Sequence, residues 1–154
     1  MLSAEYLAGL FDGEGWVRAD HIHYKGRKTG GYQLALGIAM TYEPVIRMLH
    51  EQFGGVCHGD DSFKRRYHKN RTIWRWHVAS RLAVPFLKFI EAHSVVKKEQ
   101  ITLGLALQAH IELHKPMMVG LHRNEAFKTG VRAEREVIAA ELRRLKKVDY
   151  LHTP

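Results

Sequence analysis

The stretch Leu7-Ala8-Gly9-Leu10-Phe11-Asp12-Gly13-Glu14-Gly15 constrains the fold more tightly than any other part of the chain. Ser3 can cap a helix running from Ala4 to about Gly13, and Gly15 releases the chain from it. At about 100° per residue, Tyr6, Leu7, Leu10 and Phe11 fall on one side of that helix. Glu5, Gly9, Asp12 and Gly13 fall on the other, with Ala8 near its edge. The first side is expected to pack on the domain's own sheet, while the second is nearly bare of bulk. A glycine inside a helix costs about 1 kcal/mol relative to alanine. Two of them at i and i+4 therefore point to something that must come very close, such as another helix backbone. Glu14 is equally out of place, because a helix C-terminus already carries roughly −0.5 charge and unpaired carbonyls. An acid there needs a cation, and a carboxylate beside carbonyl oxygens is a hard-oxygen donor set that suits Mg²⁺. A helix that merely ends at a glycine before a strand is the simpler reading, but it accounts for neither the paired glycines nor the acid.

The rest of the chain repeats one pattern. Trp16 to Tyr24 and Gln33 to Thr41 read as strands joined by the turn Lys25 to Gly31. In the second strand Leu34, Leu36, Ile38 and Met40 alternate with Gln33, Ala35, Gly37, Ala39 and Thr41, which is a strand with one buried face. Thr41 and Pro44 mark a helix start, and Gly54-Gly55 its end. Val56 to Arg66 and Thr72 to Ser80 read as a second hairpin, followed by a helix from Ala83 to Ala92. Helices are then expected over about Val96 to His114, Leu121 to Phe127 and Val131 to Lys147, with Pro116 and Gly130 as breaks. Helix, hairpin, helix, hairpin, helix and a helical tail predict an α+β domain with four antiparallel strands. No Gly-, Ser- or Pro-rich linker interrupts the 154 residues, so a single domain is expected, with its core at about 4–110 and its tail at about 111–150.

Charge narrows the partners. Lys and Arg number 24 against 16 Asp and Glu, a net +8 with 11 histidines besides. A domain this basic is expected to meet a polyanion, with nucleic acid the first choice. The single cysteine, Cys57, excludes an intrachain disulfide and a cysteine-based zinc cage. No apolar run approaches the roughly 20 residues of a membrane span. Glu5, Asp12 and Glu14 interrupt the only apolar stretch near the N-terminus, so no signal peptide is expected. The expected location is cytoplasmic or organellar, wherever the host DNA lies, and not secreted.

The N-terminal segment resembles the motif of the LAGLIDADG homing endonucleases: LAGLFDGEG matches it at six of nine places. Glu14 stands for Asp at the eighth place and keeps the carboxylate. The element order over roughly residues 4–110 also resembles that family's core. The resemblance implies the LAGLIDADG fold, with an αββαββα core, a four-stranded saddle sheet and a helical C-terminal tail. It implies a dimer interface through Ala8, Gly9, Asp12 and Gly13, with Asp12 in a structural role. It makes Glu14 the metal ligand and the Gly13 carbonyl a second one. No acid-glycine pair follows Leu103 to Leu107, the nearest approach to a second copy. One motif implies a homodimer, and two-fold symmetry makes the target palindromic or nearly so.

The implied activity is site-specific, Mg²⁺-dependent cutting of double-stranded DNA at a long site, leaving short 3′ overhangs and serving intron homing. Mn²⁺ is expected to substitute, and Ca²⁺ to support binding without cleavage. Neither a small-molecule substrate nor a membrane is expected. The alternative is a member that has lost cutting and acts as an RNA maturase or a DNA-binding regulator. A structural nucleoprotein would leave the glycine-lined helix unexplained.

For DNA contact, the open sheet face is expected to present Arg18, Asp20, Tyr24, Gln33, Arg75 and His77 to base edges. Trp74, Trp76 and Val78 are expected on the buried side. Lys25, Arg27 and Lys28 in one tip, and Lys64, Arg65, Arg66, Lys69 and Arg71 in the other, are expected to neutralise phosphates. Lys97 of Lys97-Lys98-Glu99-Gln100 matches the Lys-x-x-Gln pattern that the family often has near the cut, implying an electrostatic catalytic role. Tyr42 stands where related enzymes often carry a polar, water-positioning residue, with Arg47 a weak substitute. His21-x-His23 and His110-x-x-x-His114 have metal-ligand spacings but lack a third ligand nearby in sequence. Asp60-Asp61 reads more simply as a turn than as a metal site.

Overall fold

The computed structural model describes residues 1–23, 31–60, 72–118 and 125–151. The expected order of elements is present. Helix α1 (Ala4–Glu14) leads into strand β1 (Gly15–Ile22), and β2 (Gly31–Met40) into α2 (Glu43–Phe53). Strands β3 (Val56–Asp60) and β4 (Ile73–Ala79) are followed by a 3₁₀ turn at Ser80–Leu82 and helix α3 (Ala83–Ile90). The tail consists of α4 (Lys98–Met118) and α5 (Glu125–Leu151). Ser3 caps α1, its Oγ accepting from the Tyr6 amide at 3.3 Å. Pro44 stands in the first turn of α2, where its missing N–H costs no helical bond.

The four strands form one sheet in the order β1-β2-β4-β3. Strands β2 and β4 run antiparallel with Leu36 opposite Val78 and Ile38 opposite Trp76. Strands β3 and β4 are also antiparallel, with Cys57 opposite Trp76 and His58 opposite Arg75. Leu34, Leu36, Ile38, Trp76 and Val78 are buried as expected, but Ala35 and Gly37 on the opposite face of β2 are buried as well, so the strand is not covered on one face alone.

The chain divides into two compact units, residues 1–16 with 35–98, and residues 17–34 with 99–154. The first centres on Phe86 of α3. Its ring lies 5.2 Å from Phe11, 4.9 Å from Trp76 and 5.2 Å from Phe53, all edge-on. Trp76 is wholly buried, and its indole N–H donates to the Gly54 carbonyl at 2.7 Å. That bond satisfies the one polar atom a buried tryptophan carries. Gly55 then turns into β3 at φ +85°, where a Cβ would lie 2.3 Å from Val78. In the second unit Leu107 of α4, and Val131, Ala139 and Leu142 of α5, are buried. Ile138 rather than Val137 continues the α5 stripe, since Val137 is 69% exposed.

Several expectations are corrected. Gly130 does not break the tail: α5 runs through it, and an added Cβ there would meet nothing within 4 Å. The glycine weakens the helix without clashing or turning the chain. Pro116 lies within α4, in the last turn before Met118, where its missing N–H forfeits a single helical bond. On α1 the buried side is Leu7, Ala8 and Phe11, while Tyr6 is 47% exposed. Ala8 is fully covered by its own chain and offers no surface to a second one. The expected helix between Leu121 and Phe127 falls largely outside the described residues. Among the described residues, no helix is long and apolar enough to cross a membrane.

Candidate functional site

Phe11, packed on Phe86, anchors the end of α1, and the Gly15 amide closes the helix on the Phe11 carbonyl. Gly15 is obligatory here, because a Cβ would lie 2.2 Å from the Phe11 ring. The two acids of this last turn meet different fates. Asp12 turns into its own chain and gathers the turn that precedes α4. It accepts from Ser94 Oγ at 2.5 Å and from the amides of Val95, Val96 and Lys97 at 2.8, 3.1 and 3.0 Å. Amides preceding a helix are donors without helical acceptors, and a carboxylate suits them. Burial pushes the Asp12 carboxyl up, but these four hydrogen bonds outweigh it and hold the group below its usual value. Asp12, expected in a structural role near the helix interface, caps the turn before α4 in its own chain.

Lys97 also turns onto α1. Its side chain is buried, and Nζ donates to the Asp12 carbonyl. It supplies the cation that the crowded negative end of α1 calls for. Glu14 and Gly13 are exposed. The Glu14 side chain makes no hydrogen bond or ion pair among the described residues. With both Asp12 oxygens engaged by Ser94 and three amides, Glu14 is the carboxylate left to take a ligand. A carboxylate at a helix end, where the last carbonyls lack helical donors, offers oxygen donors of the kind a hard divalent cation takes, with the Lys97 ammonium already seated on the neighbouring Asp12 carbonyl.

The exposed edge of α1 is Tyr6, Gly9, half-buried Leu10 and Gly13, at i, i+3, i+4 and i+7. A Cβ added at Gly9 or Gly13 would meet nothing within 4 Å. Packing among the described residues therefore gives no reason for glycine at either place.

The register places Arg75 opposite Ala39 and His77 opposite Gly37. Gln33 lies near the start of β2, half-buried. His58 of β3, opposite Arg75, joins the face of Arg75 and His77, and the His58 and His77 rings lie 5.8 Å apart. Arg75 is ion-paired with Asp60. The face is not bare at its centre, since a Cβ at Gly37 would lie 2.7 Å from the Trp16 ring. Sequence reasoning does not single out His58, Asp60 or Trp16 for this face. The alternation Val56-x-His58-x-Asp60 carries the signal, once β3 is registered on β4. Arg18 and Asp20 pair with each other at 2.6 Å, both partly exposed. Arg47 is committed to Glu43 at 2.5 Å and stacks 5.2 Å from the Trp74 ring centroid, while Tyr42 is 60% exposed. His21 and His23 face each other at 3.2 Å. Among the described residues no third ligand completes that pair. Tyr24, Lys25, Arg27, Lys28, Lys64, Arg65, Arg66, Lys69 and Arg71 lie outside the described residues.

No protein-family model and no curated protein sequence matches the chain. Solved structures do. The homing endonuclease I-CvuI, crystallised with a DNA target in the presence of Mg, superposes with a TM-score of 0.71 at 14% identity, covering 92% of this chain and 80% of that one. An archaeal intron-encoded homing endonuclease complexed with DNA gives a TM-score of 0.68 at 14% identity, over 92% and 82% of the two chains. The homing endonuclease I-TnaI gives 0.65 at 17% identity, over 95% of each. The chain has the LAGLIDADG homing-endonuclease fold.

Proposed function

We propose that this protein is a homodimeric, Mg²⁺-dependent, site-specific double-strand DNA endonuclease of the LAGLIDADG family, cutting a long pseudo-palindromic site to leave short 3′ overhangs. The observation that carries the proposal is the outer edge of α1. Among the described residues, nothing lies within 4 Å of a Cβ added at Gly9 or Gly13, and Glu14 stands exposed at the end of that edge. A second copy of α1 laid along Tyr6, Gly9, Leu10 and Gly13 accounts for both glycines and brings two Glu14 carboxylates together. The DNA-bound structures that share the fold support the same reading.

In that dimer each Glu14 carboxylate, with the Gly13 carbonyl, holds the ion. When bound, Mg²⁺ supplies an activated water and a counter-charge for the phosphate. Lys97, restrained on the Asp12 carbonyl, keeps a positive charge at the helix end and eases the approach of the DNA backbone. The attacking oxygen bonds to phosphorus as the leaving oxygen departs on the opposite side, so one strand is cut per chain. Arg75, His77 and His58 read base edges. The basic segments around Lys25 and Lys64 neutralise phosphates.

The test is paired. The target is recovered by selection from random DNA and cloned into a supercoiled plasmid. Wild-type protein and Glu14→Gln are then compared by gel shift and by plasmid cutting in Mg²⁺. The variant is expected to bind as tightly or more tightly, because two close carboxylates repel each other and the phosphates. Its cutting is expected to fall by orders of magnitude. Undiminished cutting would remove Glu14 from the chemistry. A wild type that binds but never cuts in Mg²⁺ or Mn²⁺ would instead favour a regulator or maturase.

A further inference from the structure

Helices α4 and α5 of the second unit carry a side-chain cluster apart from the residues proposed for DNA cleavage. His110 and His114 lie one turn apart on α4, with ring centroids separated by 4.2 Å. Glu134 of α5 reaches the same point, its Oε2 standing 2.6 Å from His110 Nε2. One ligand atom from each of the three residues lies within 4.8 Å of the other two. The His114 ring is already oriented. Its Nδ1 is 2.9 Å from the His110 carbonyl oxygen. A carbonyl only accepts, so Nδ1 carries the proton and Nε2 keeps its lone pair. Metal-ligating histidines are commonly fixed by such a bond through their other nitrogen. The His110 side chain is 16% exposed and Glu134 is 64% exposed, so the cluster opens to solvent on the carboxylate side.

We propose that His110, His114 and Glu134 form a binding site for a divalent transition-metal ion, Zn²⁺ foremost, that clips α4 to α5. Two imidazoles and one carboxylate suit Zn²⁺ in tetrahedral geometry, with water in the fourth place. They do not suit Mg²⁺, which demands oxygen donors. The site is thus chemically separate from the one at Glu14, and either can exist without the other. Arg135 sets the site's affinity. Its Nε donates to His110 Nδ1 at 3.3 Å, which leaves the ring proton on Nε2, shared with Glu134. An ion replaces that proton between Nε2 and the carboxylate. The ring then carries its proton on Nδ1, facing the guanidinium, and Arg135 must turn aside.

The experiment uses full-length protein without a histidine tag, stripped with chelator and titrated with Zn²⁺ alone by calorimetry. Co²⁺ is followed in parallel by its visible absorption, and thermal unfolding is recorded with and without Zn²⁺. The expected result is a single equivalent per chain, an intense tetrahedral Co²⁺ band and a raised unfolding midpoint. His114→Gln and Glu134→Gln should each abolish the band and the stoichiometric binding, while His21→Gln/His23→Gln leaves both unchanged. Glu134 is exposed, so its variant is expected to fold. Arg135→Gln should tighten binding, because its amide oxygen can accept from the His110 Nδ1 proton. Absence of stoichiometric binding in the wild type would overturn the proposal. So would binding that survives both His114→Gln and Glu134→Gln.

Discussion

Asp12 and Glu14, two residues apart at one helix end, divide the work that the segment's acids could do. Asp12 accepts four hydrogen bonds from residues 94–97, so Asp12→Asn should destabilise the fold by about 1–3 kcal/mol at neutral pH. The sign of its pH dependence follows from a carboxyl held below its ordinary value of 3.8. Its stabilisation is fully present above that ordinary value and is lost as pH falls through the lowered one. The gap between wild type and Asp12→Asn in denaturant unfolding should therefore narrow below about pH 4, and a gap that widens in acid would contradict this. Glu14 is legible as the exposed acid because the nine-residue motif carries it. The bonds of Asp12 are not legible, since its partners lie more than 80 residues away and nothing local announces them. Arg75 is legible as a residue of the open face, but its pairing with Asp60 emerges only once β3 is registered on β4. In binding selections Arg75→Ala should relax base choice, by about 1–3 kcal/mol for each bidentate pair removed. An unchanged preference would make the Arg75–Asp60 pair purely structural.

Helix α1 tests the interface directly. Its outward stripe is Tyr6, Gly9, Leu10 and Gly13, rotated from the expected Ala8, Gly9, Asp12 and Gly13. The rotation has a physical cause: small Ala8 is buried against its own chain, while Asp12 is drawn inward by the amides it caps. Composition alone cannot distinguish an alanine packed inside from one facing a partner. Gly9→Leu should leave the monomer folded, since an added Cβ meets no neighbour, and should abolish dimerisation in sedimentation equilibrium. A wild-type monomer at micromolar concentration, with and without DNA, would contradict the interface. Helix α5 offers a converse case. Glycine usually ends helices, yet α5 continues through exposed Gly130, held by packing at Val131, Ala139 and Leu142. Gly130→Ala should therefore raise stability by about 1 kcal/mol, measured as the shift in denaturation midpoint, and a loss of stability would show that the position needs glycine. The strands are the most legible elements because strict alternation in β2 and β4 fixes their phase. The tail is the least, because Pro116 and Gly130 read as breaks in sequence, yet Pro116 sits in the last turn of α4 and α5 runs through Gly130.

A net charge of +8 points to a polyanionic partner, but not to where on the chain that charge would be used. Lys64→Ala/Arg65→Ala/Lys69→Ala should reduce the slope of log K against log salt by about 0.9 for each phosphate no longer neutralised, with little change in which sequence is bound. An unchanged slope would mean that these side chains are solvated rather than bound to DNA. The fold itself is legible from element order and one motif, whereas the proposed pairing of two chains is legible only as what that motif implies. The most direct measurement mixes subunits. Differently tagged wild-type and Glu14→Gln chains are co-expressed, the mixed dimer is isolated through both tags, and it is given supercoiled plasmid carrying the selected target. A symmetric dimer with one Glu14-dependent site per strand predicts linear product from wild type, nicked circle from the mixed dimer and intact supercoiled DNA from the double variant. Linear product formed by the mixed dimer at the wild-type rate would contradict it.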